Sequence, residues 1–272
     1  MPARARRSCL SVPASSERML AKAPSLGADE VVVDLEDAVA PEDKIAARGL
    51  AVAAVQKGPL GRTTAIRVNG RRTEWWEDDL RAAAAAKPDV VVLPKVESPE
   101  DVAAAAELLP PGTGLEALIE TAPGLADAER IAAAGHGLEA LLLGPADLAA
   151  SLGIPVLTIG EGTPEYALTR IAAAASAHGL QAIDGPHARL GDDLGLVRSA
   201  QRALAHGYDG KWVIHPSQIE AVHLVFTPSP AEIERAERIL ATKGAMRFEG
   251  ELVDEASRRL AESLLRRAGR LA

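Results

Sequence analysis

The feature of this sequence that most constrains its fold is a regular alternation of short apolar runs with longer, Ala-rich amphipathic segments. Such alternation is typical of strand–helix units that form a parallel sheet. Eight apolar runs are predicted to be strands: Ser8–Val12, Val31–Asp34, Ala65–Val68, Val90–Leu93, Leu115–Ile119, Ala140–Leu143, Gln181–Ile183 and Lys211–Ile214. Because eight units and 272 residues are usual for a TIM barrel, we predict an α/β fold, a TIM (β/α)8 barrel with additional C-terminal helices.

The segments between these strands are predicted to be helices, because alanine has the highest helix propensity. They are Ser16–Ala23, Glu42–Gln56, Trp75–Ala86, Pro99–Leu108, Leu125–Ala134, Glu165–His178 and Asp192–His206. Residues 151–165 lack periodicity, so a surface loop is predicted there. Beyond Ile214 a Pro-rich break at Thr227–Pro230 is flanked by three predicted helices: Ser217–Val225, Ala231–Thr242 and Val253–Ala268. We therefore expect a barrel over residues 1–226 and a helical extension over residues 227–272 that packs on the barrel or on a neighbouring subunit, as one structural domain overall.

The stretch from Leu115 to Leu148 contains two predicted strands, and each strand leads into a carboxylate. Glu120 follows the first strand directly, and Asp147 lies a few residues beyond the second. The helix predicted between the strands makes them parallel neighbours, and neighbouring strands lie roughly 4.8 Å apart. Carboxylates at their C-terminal ends could therefore bind one hard cation. This pair is a candidate Mg2+ site, for which Mn2+ is also possible.

Charged residues follow other predicted strands too, at the end of a barrel where active sites lie. They are Asp34 at the end of the second strand with Glu36 and Asp37 after it, Arg67 in the third, Lys95 after the fourth, Asp184 after the seventh and His215 after the eighth. Since Arg67 could bind a carboxylate in bidentate fashion, the set indicates a chelating α-keto or α-hydroxy acid as ligand. Structural interpretations stay open: the acids could cap helices or lie in solvent, and Lys95 and His215 could be structural.

The composition excludes several other classes of protein. A net charge of −8 and only 3% aromatic residues argue against a nucleic-acid surface. No apolar run approaches the roughly 18–20 residues of a membrane span, and the basic N-terminus lacks the apolar core of a signal peptide, so we expect a cytoplasmic protein with no membrane partner. The single cysteine, Cys9, cannot form an internal disulfide and is predicted to be buried in a strand.

The motifs at these strand ends resemble those of the HpcH/HpaI aldolase/citrate lyase family, in its citrate lyase β-subunit-like branch with the malyl-CoA and citramalyl-CoA lyases. The resemblance covers nearly the whole chain, in the motifs RSCLSVPASSERMLAKA, VVVDLEDAVAPEDKIAAR, IRVNG, VVLPKVES, LIETAPG, LLLGPADLAASLG, AIDGP, GYDGKWVIHPSQI and FEGELVD. Pyruvate-type aldolases of the same superfamily carry a histidine where this chain has Asp37. The acid there favours the citryl- and malyl-CoA-like branch.

The resemblance also implies roles for individual residues. Glu120 and Asp147 would be the Mg2+ ligands, Arg67 would hold the carboxylate of the keto acid, and Asp254 would be the catalytic acid/base, delivered from a neighbouring subunit of a homotrimer. Glu36 and Asp37 would hold metal-bound water or substrate, and the substrate would contact Lys95, Gly144, Pro145 and Ala146. Candidates for contacts to the CoA phosphates are Arg4, Arg6, Arg7, Lys22, Arg71 and Arg72, on charge and expected position.

The activity that this resemblance implies is Mg2+-dependent, reversible Claisen-type cleavage of a 3-hydroxyacyl-CoA thioester such as citryl-, malyl- or citramalyl-CoA. The products would be an acyl-CoA and an α-keto acid: oxaloacetate, glyoxylate or pyruvate. Two alternatives use the same site. One is a malyl-CoA thioesterase or malate-synthase-like activity, and the other is a citrate lyase β-subunit that acts on a thioester bound to a carrier protein.

Overall fold

Eight parallel strands form a closed barrel in the order β1 to β8, which confirms the predicted TIM-barrel fold. The structure is a computed structural model that describes residues 4–160 and 162–271. The strands are β1 Ser8–Pro13, β2 Glu30–Asp34, β3 Thr63–Arg67, β4 Val90–Leu93, β5 Gly114–Ile119, β6 Leu138–Leu143, β7 Gln181–Asp184 and β8 Gly210–Val213. β5 and β6 are parallel neighbours, with Ile119 opposite Leu143, so Glu120 begins its loop beside the end of β6.

The strands are almost entirely buried, because helices cover the outside of the barrel and side chains fill its interior. All residues of β2, β3, β4 and β5 are buried. One packed cluster draws on all eight strands and consists of Cys9, Val32, Ala65, Val90, Val92, Leu118, Ala140, Leu142, Ile183 and Trp212. Burial on both faces explains why the strands read as continuous apolar runs in the sequence.

The helices that follow the barrel strands are α1 Glu17–Lys22, α2 Lys44–Lys57, α3 Trp76–Ala86, α4 Pro99–Ala106, α5 Ala122–Ala126, α6 Ala128–Ala132, α7 Pro145–Ser151, α8 Glu165–Ala177, α9 Asp193–Ala205 and α10 Ile219–Phe226. Ser98 begins α4 with a capping box, in which its side chain and that of Asp101 bond to each other's backbone. Pro99 at the first helical position agrees with the predicted start.

The single helix predicted over Leu125–Ala134 is wrong, because the chain forms two short helices, α5 and α6. Asp127 separates them with φ −98° and ψ 10°, and its carboxylate lies 2.9 Å from Arg130 Nη1. Aspartate favours helix ends because its side chain bonds locally. α7 was not predicted. It is short, begins one residue after β6 with Pro145 at its first position, and ends at Ser151, where the predicted loop over residues 151–165 begins.

The N-terminal ends of the strands are closed by a buried network around Arg6, which is 2% exposed. Its Nε lies 2.9 Å from Glu30 Oε2 and 2.6 Å from Glu116 Oε1. The other two nitrogens donate to Glu139, at 2.5 Å, and to Gln181, at 2.6 Å. Burial and the charge of Glu116 raise the pKa of Glu30, and burial raises the pKa of Glu116 against the charge of Arg6.

This network shows that some of the basic residues proposed as contacts to the CoA phosphates have another role. Arg4, Arg6 and Arg7 precede β1, so they lie at the end of the barrel opposite the carboxyl ends of the strands. Arg4 pairs with Glu139 at 3.1 Å and Arg7 with Asp29 at 2.7 Å. These three arginines are therefore structural, and their interpretation as phosphate contacts near the site was wrong.

A second compact unit begins at Leu224, and the first ends at His223. It contains α11 (Pro230–Leu240), strands β9 (Met246–Phe248) and β10 (Glu251–Val253), and α12 (Glu255–Arg267). Its apolar core is formed by Ala236, Ala261 and Leu265. The antiparallel hairpin was not predicted; Glu249 and Gly250 both have positive φ, of 51° and 88°, as a two-residue hairpin turn requires.

Within residues 4–160 and 162–271, no helix combines the length and the apolar character that crossing a bilayer requires.

Candidate active site

Five of the predicted site residues converge at the carboxyl ends of β2 to β6, where loops project their side chains toward one another. They are Glu36, Arg67, Lys95, Glu120 and Asp147. Each follows a different strand, or ends it in the case of Arg67. The barrel therefore gathers groups that are far apart in the sequence, as the strand-end prediction required.

Arg67 is held in place by Asp34 on the neighbouring strand. Its Nε donates to Asp34 Oδ1 at 2.8 Å and its Nη2 to Oδ2 at 2.5 Å, a bidentate ion pair with both side chains buried. The guanidinium also lies 5.3 Å from the ring centroid of Trp212. Since Asp34 uses one edge of the guanidinium, Nη1 is the nitrogen that faces Glu36 and the site.

Glu36 is 5% exposed and lies between Arg67 and Lys95. Its Oε1 accepts a hydrogen bond from Lys95 Nζ, and its Oε2 lies 3.1 Å from Arg67 Nη1 without hydrogen-bond geometry. Burial raises the pKa of Glu36 although Arg67 opposes this, and Asp37 raises it further. Asp37 is more exposed, with Oδ2 4.0 Å from Arg67 Nη1 and Oδ1 3.9 Å from Lys95 Nζ.

Lys95 lies within 4 Å of four carboxylates and has a left-handed backbone, with φ 52°. Its backbone N–H donates to Glu120 Oε1 at 2.8 Å. Its Nζ lies 3.8 Å from Asp147 Oδ2. Burial alone would lower the pKa of Lys95, but the hydrogen bond and charge of Glu36 outweigh it and raise the pKa, so the side chain is an ammonium ion at neutral pH.

Glu120 is 2% exposed and lies against Gly144, which has no side chain to displace it. A Cβ on Gly144 would come within 2.2 Å of Glu120 Oε2. Burial and the negative charge of Glu36 raise the pKa of Glu120 to about 8, and Asp147 adds to the repulsion. A site with these properties favours a bound cation, which would stabilise the ionised carboxylate.

Asp147 lies in the first turn of α7, and the start of that helix is fixed by close packing. Gly185 at the end of β7 lies so near Pro145 that a Cβ would come within 2.2 Å of the proline Cδ. Pro145 is buried, whereas Ala146 is exposed and Asp147 is half-buried. Gly144 and Pro145 therefore position the two carboxylates, a role that the sequence did not indicate.

The donor set fits a magnesium ion. Glu120 and Asp147 offer carboxylate oxygens from adjacent strands, and in the described part of the chain no three His, Cys, Asp or Glu side chains come together as a complete metal cage. Mg2+ is usually bound through one or two carboxylates, with water and substrate oxygens completing its shell. Such a site leaves positions open for a chelating acid.

Asp254 belongs to the C-terminal unit, where it caps α12. Its Oδ1 accepts hydrogen bonds from the backbone N–H groups of Ala256, at 2.9 Å, and Ser257, at 3.1 Å. The bond from Ser257 is the main cause of a lowered pKa, so Asp254 is a carboxylate at neutral pH.

Two of the strand-end groups instead have structural contacts. Asp184 is buried, and its Oδ2 accepts from Lys211, which also donates to Gly185 O at 2.7 Å. His215 accepts a hydrogen bond from the N–H of Ser217 at 3.2 Å and caps a short 3-10 turn. The structural alternative that the sequence left open for His215 agrees with this geometry.

Sequence reasoning missed the residues that fix the loop after β2. Lys44 Nζ donates to the carbonyls of Leu35, at 2.8 Å, and Glu36, at 2.7 Å. Asn69 donates to the same Leu35 carbonyl at 3.0 Å and is itself held by Asp79. A lysine at the start of a charged helix normally lies in solvent, so no signal in the sequence identified this contact.

Comparison with known proteins identifies the family. The HpcH/HpaI aldolase/citrate lyase family model matches residues 7–216. A (3S)-malyl-CoA thioesterase from Cereibacter sphaeroides is 40% identical over 251 residues, which covers 86% of this chain and 82% of the relative. An L-malyl-CoA/beta-methylmalyl-CoA lyase from the same species is 35% identical over 305 residues, covering 98% of this chain and 96% of the relative.

A solved structure of similar sequence covers almost the whole chain. CitE from Mycobacterium tuberculosis, crystallised in complex with magnesium, acetoacetate and coenzyme A, is 38% identical and superimposes with a TM-score of 0.83. The match covers 97% of this chain and 98% of CitE. This chain therefore belongs to the HpcH/HpaI aldolase/citrate lyase family.

Proposed function

We propose that the protein is a Mg2+-dependent carbon–carbon lyase that cleaves, or forms, a 3-hydroxyacyl-CoA thioester such as citryl-, malyl- or citramalyl-CoA. The observation that carries this proposal is the convergence of Glu120 and Asp147 with Arg67 at one end of the barrel. Two carboxylates can hold a dication, and a guanidinium beside them can bind the carboxylate of a keto acid. The lyase and CitE relatives support the same chemistry.

In this proposal Glu120 and Asp147 would hold the metal ion, and a bound Mg2+ would supply Lewis-acid stabilisation of negative charge on a substrate oxygen. Arg67 Nη1 binds the carboxylate of the keto acid, while Asp34 keeps the guanidinium oriented. Glu36 and Asp37 accept hydrogen bonds from water or substrate hydroxyl groups. The ligands that these residues select are oxaloacetate, glyoxylate and pyruvate.

Asp254 is our candidate for the group that moves the proton. In the condensing direction its carboxylate removes a proton from the α-carbon of the acyl thioester, and the alkoxide that forms takes up a proton. In the cleavage direction the hydroxyl group loses its proton as the carbon–carbon bond breaks, and the protonated form of Asp254 gives a proton to the α-carbon. The group is ionised at neutral pH, so its carboxylate can accept a proton. We infer that the active form is a homotrimer in which a neighbouring subunit contributes this residue.

A second candidate function is thioester hydrolysis, and the (3S)-malyl-CoA thioesterase relative favours it. Hydrolysis would use the same metal and the same carboxylate recognition, but water would attack the thioester carbonyl. The two activities differ in their products. A lyase releases an acyl-CoA and a keto acid, whereas a thioesterase releases free CoA and the intact hydroxy acid.

Mass spectrometry of the products tests the proposal. The purified protein is incubated with Mg2+ and, separately, with malyl-CoA, citramalyl-CoA or citryl-CoA, and each reaction is repeated with EDTA. We expect EDTA-sensitive formation of an acyl-CoA and a keto acid from at least one thioester. Free CoA without a new acyl-CoA would favour the thioesterase, and three intact thioesters would contradict both activities.

A further inference from the structure

Lys95 directs both its backbone and its side chain to the carboxylates of the candidate metal site. Its N–H bonds to Glu120 Oε1, and its Nζ bonds to Glu36 Oε1. This double contact depends on the left-handed backbone at φ 52°, which is unfavourable for any residue with a Cβ atom. If only the turn mattered, glycine would form it with less strain. The ammonium group is therefore the feature that needs an explanation.

The charges around Lys95 explain why an ammonium group is present at this position. The carboxylates close to Lys95 belong to Glu36, Asp37, Glu120 and Asp147. Arg67 lies near two of them, but Asp34 already neutralises its charge with a bidentate pair. Lys95 Nζ is hydrogen-bonded to Glu36 and lies within 4 Å of both Asp37 and Asp147, at 3.9 and 3.8 Å. Its charge offsets the repulsion among these acids.

We propose that the Lys95 ammonium is a built-in counter-cation that competes with Mg2+ for the carboxylates and thereby sets the affinity of the site for the metal. This inference rests on the proposed function, because it assumes that Glu120 and Asp147 hold the ion. A positive charge 3.8 Å from Asp147 Oδ2 would repel a dication held by this carboxylate. Lys95 is thus a positioning residue, which stabilises the metal-free site and weakens metal binding.

Other roles for Lys95 predict different effects on metal binding. A lysine that only bound the substrate would leave the metal affinity unchanged in the absence of substrate. A lysine that only ordered the loop would, on removal, weaken the metal site by releasing Glu120. The counter-cation alone predicts that removal of the positive charge tightens metal binding.

The test is a titration of the purified full-length protein with Mn2+, followed by electron paramagnetic resonance, at fixed pH and ionic strength and without keto acid or thioester. Lys95→Met should bind Mn2+ at least about tenfold more tightly than the wild type. Lys95→Arg keeps the charge and should stay within about twofold. Lys87→Met is a matched control, because Lys87 also has a left-handed backbone, at φ 57°, but ends α3 in solvent.

Unchanged or weaker Mn2+ binding by folded Lys95→Met would overturn the inference. If that variant does not fold, Lys95→Asn is used with the same expectation, since asparagine tolerates the left-handed backbone. A Glu120→Gln titration separates this inference from the proposed function. If the wild type does not bind Mn2+, or if Glu120→Gln binds it equally well, the metal site itself is contradicted. If Glu120→Gln loses binding but Lys95→Met does not tighten it, only the counter-cation is contradicted.

Discussion

The carboxylate of Glu120 lies against the Cα atom of Gly144, so closely that a Cβ atom on Gly144 would come within 2.2 Å of Glu120 Oε2. The end of β6 thus defines where the carboxylate that follows β5 can lie. The Gly144-Pro145 step also begins the helix that carries Asp147. One glycine therefore couples the positions of both proposed metal ligands.

Gly144→Ala is expected to displace Glu120 and to lower Mg2+-dependent turnover by about 100-fold or more, since a shift of about 1 Å at a reacting group can have this effect. The measurement is kcat at saturating Mg2+. Gly49→Ala serves as control, because Gly49 lies exposed in α2 with no atom near its added methyl group. Equal activity in the two variants would show that the contact does not position Glu120.

Asp34→Asn is expected to raise KM for the keto acid in the condensing direction and to lower kcat/KM by about 10- to 100-fold. Hydrogen bonds to charged groups contribute about 1.5–3 kcal/mol, and this one orients Arg67. Asp78→Asn is the control, because Asp78 forms an exposed pair with Arg48 at 3.5 Å. A KM unchanged from wild type would argue against a role of Arg67 in substrate binding.

The buried glutamates beside Arg6 predict a pH dependence of stability. Burial raises the pKa of Glu30 in the native state above its ordinary value, which applies to the unfolded chain. At a pH between the ordinary and the raised pKa, the native state therefore holds a proton that the unfolded chain has released. The stabilisation present at low pH is therefore lost as the pH rises. Glu30→Gln cannot ionise, and its free energy of unfolding relative to wild type should increase from pH 5 to pH 8.

Urea denaturation at several pH values measures this difference. Glu77→Gln is the matched control, because Glu77 is exposed on α3 and its pair with Arg81 lies in solvent. The control should show little change relative to wild type across the range. A Glu30→Gln advantage that is constant or shrinks with rising pH would be incompatible with a raised pKa at this buried position.

Asp254→Asn is expected to retain Mg2+-dependent binding of the keto acid and to lose about 10²–10⁴-fold in turnover, the usual contribution of a general acid/base. Binding is followed by calorimetry and turnover by product formation. Glu255→Gln, a change at the next residue, should remain active. Full activity of Asp254→Asn would move the proton-transfer role to another group, of which Asp37 is the first candidate.

Much of the fold could be predicted because burial on both faces makes each barrel strand a continuous apolar run, as at Val90–Leu93, where the predicted and observed bounds agree. The break between α5 and α6 was missed because it depends on one residue, Asp127, whose side chain bonds locally. The β9–β10 hairpin was missed because its turn depends on the left-handed backbone of Glu249 beside Gly250. Short elements of this kind leave little periodicity in the sequence.

The convergence of Glu120, Asp147, Arg67, Glu36 and Lys95 could be predicted because parallel strands bring their carboxyl ends to one edge. The hydrogen-bond and ion-pair partners of these residues could not be predicted from the sequence. Asp34 and Glu36 are two residues apart, yet only the structure shows that Asp34 holds Arg67 while Glu36 meets Lys95. The charge and expected position of Arg6 suggested a contact to the CoA phosphates, but tertiary contacts to Glu30 and Glu116 bury it.

Calorimetry of keto-acid binding is the most direct test of our proposal that Glu120 and Asp147 hold Mg2+ for the binding of the keto acid. Pyruvate, glyoxylate and oxaloacetate are titrated into the wild type, Glu120→Ala and Asp147→Ala, with Mg2+ and with EDTA, and Glu129→Ala on the surface of α6 is the control. We expect Mg2+-dependent binding of at least one of these acids to the wild type and the control, and none to the two site variants, with their melting temperatures retained. Wild-type affinity for the keto acid in either site variant would contradict it.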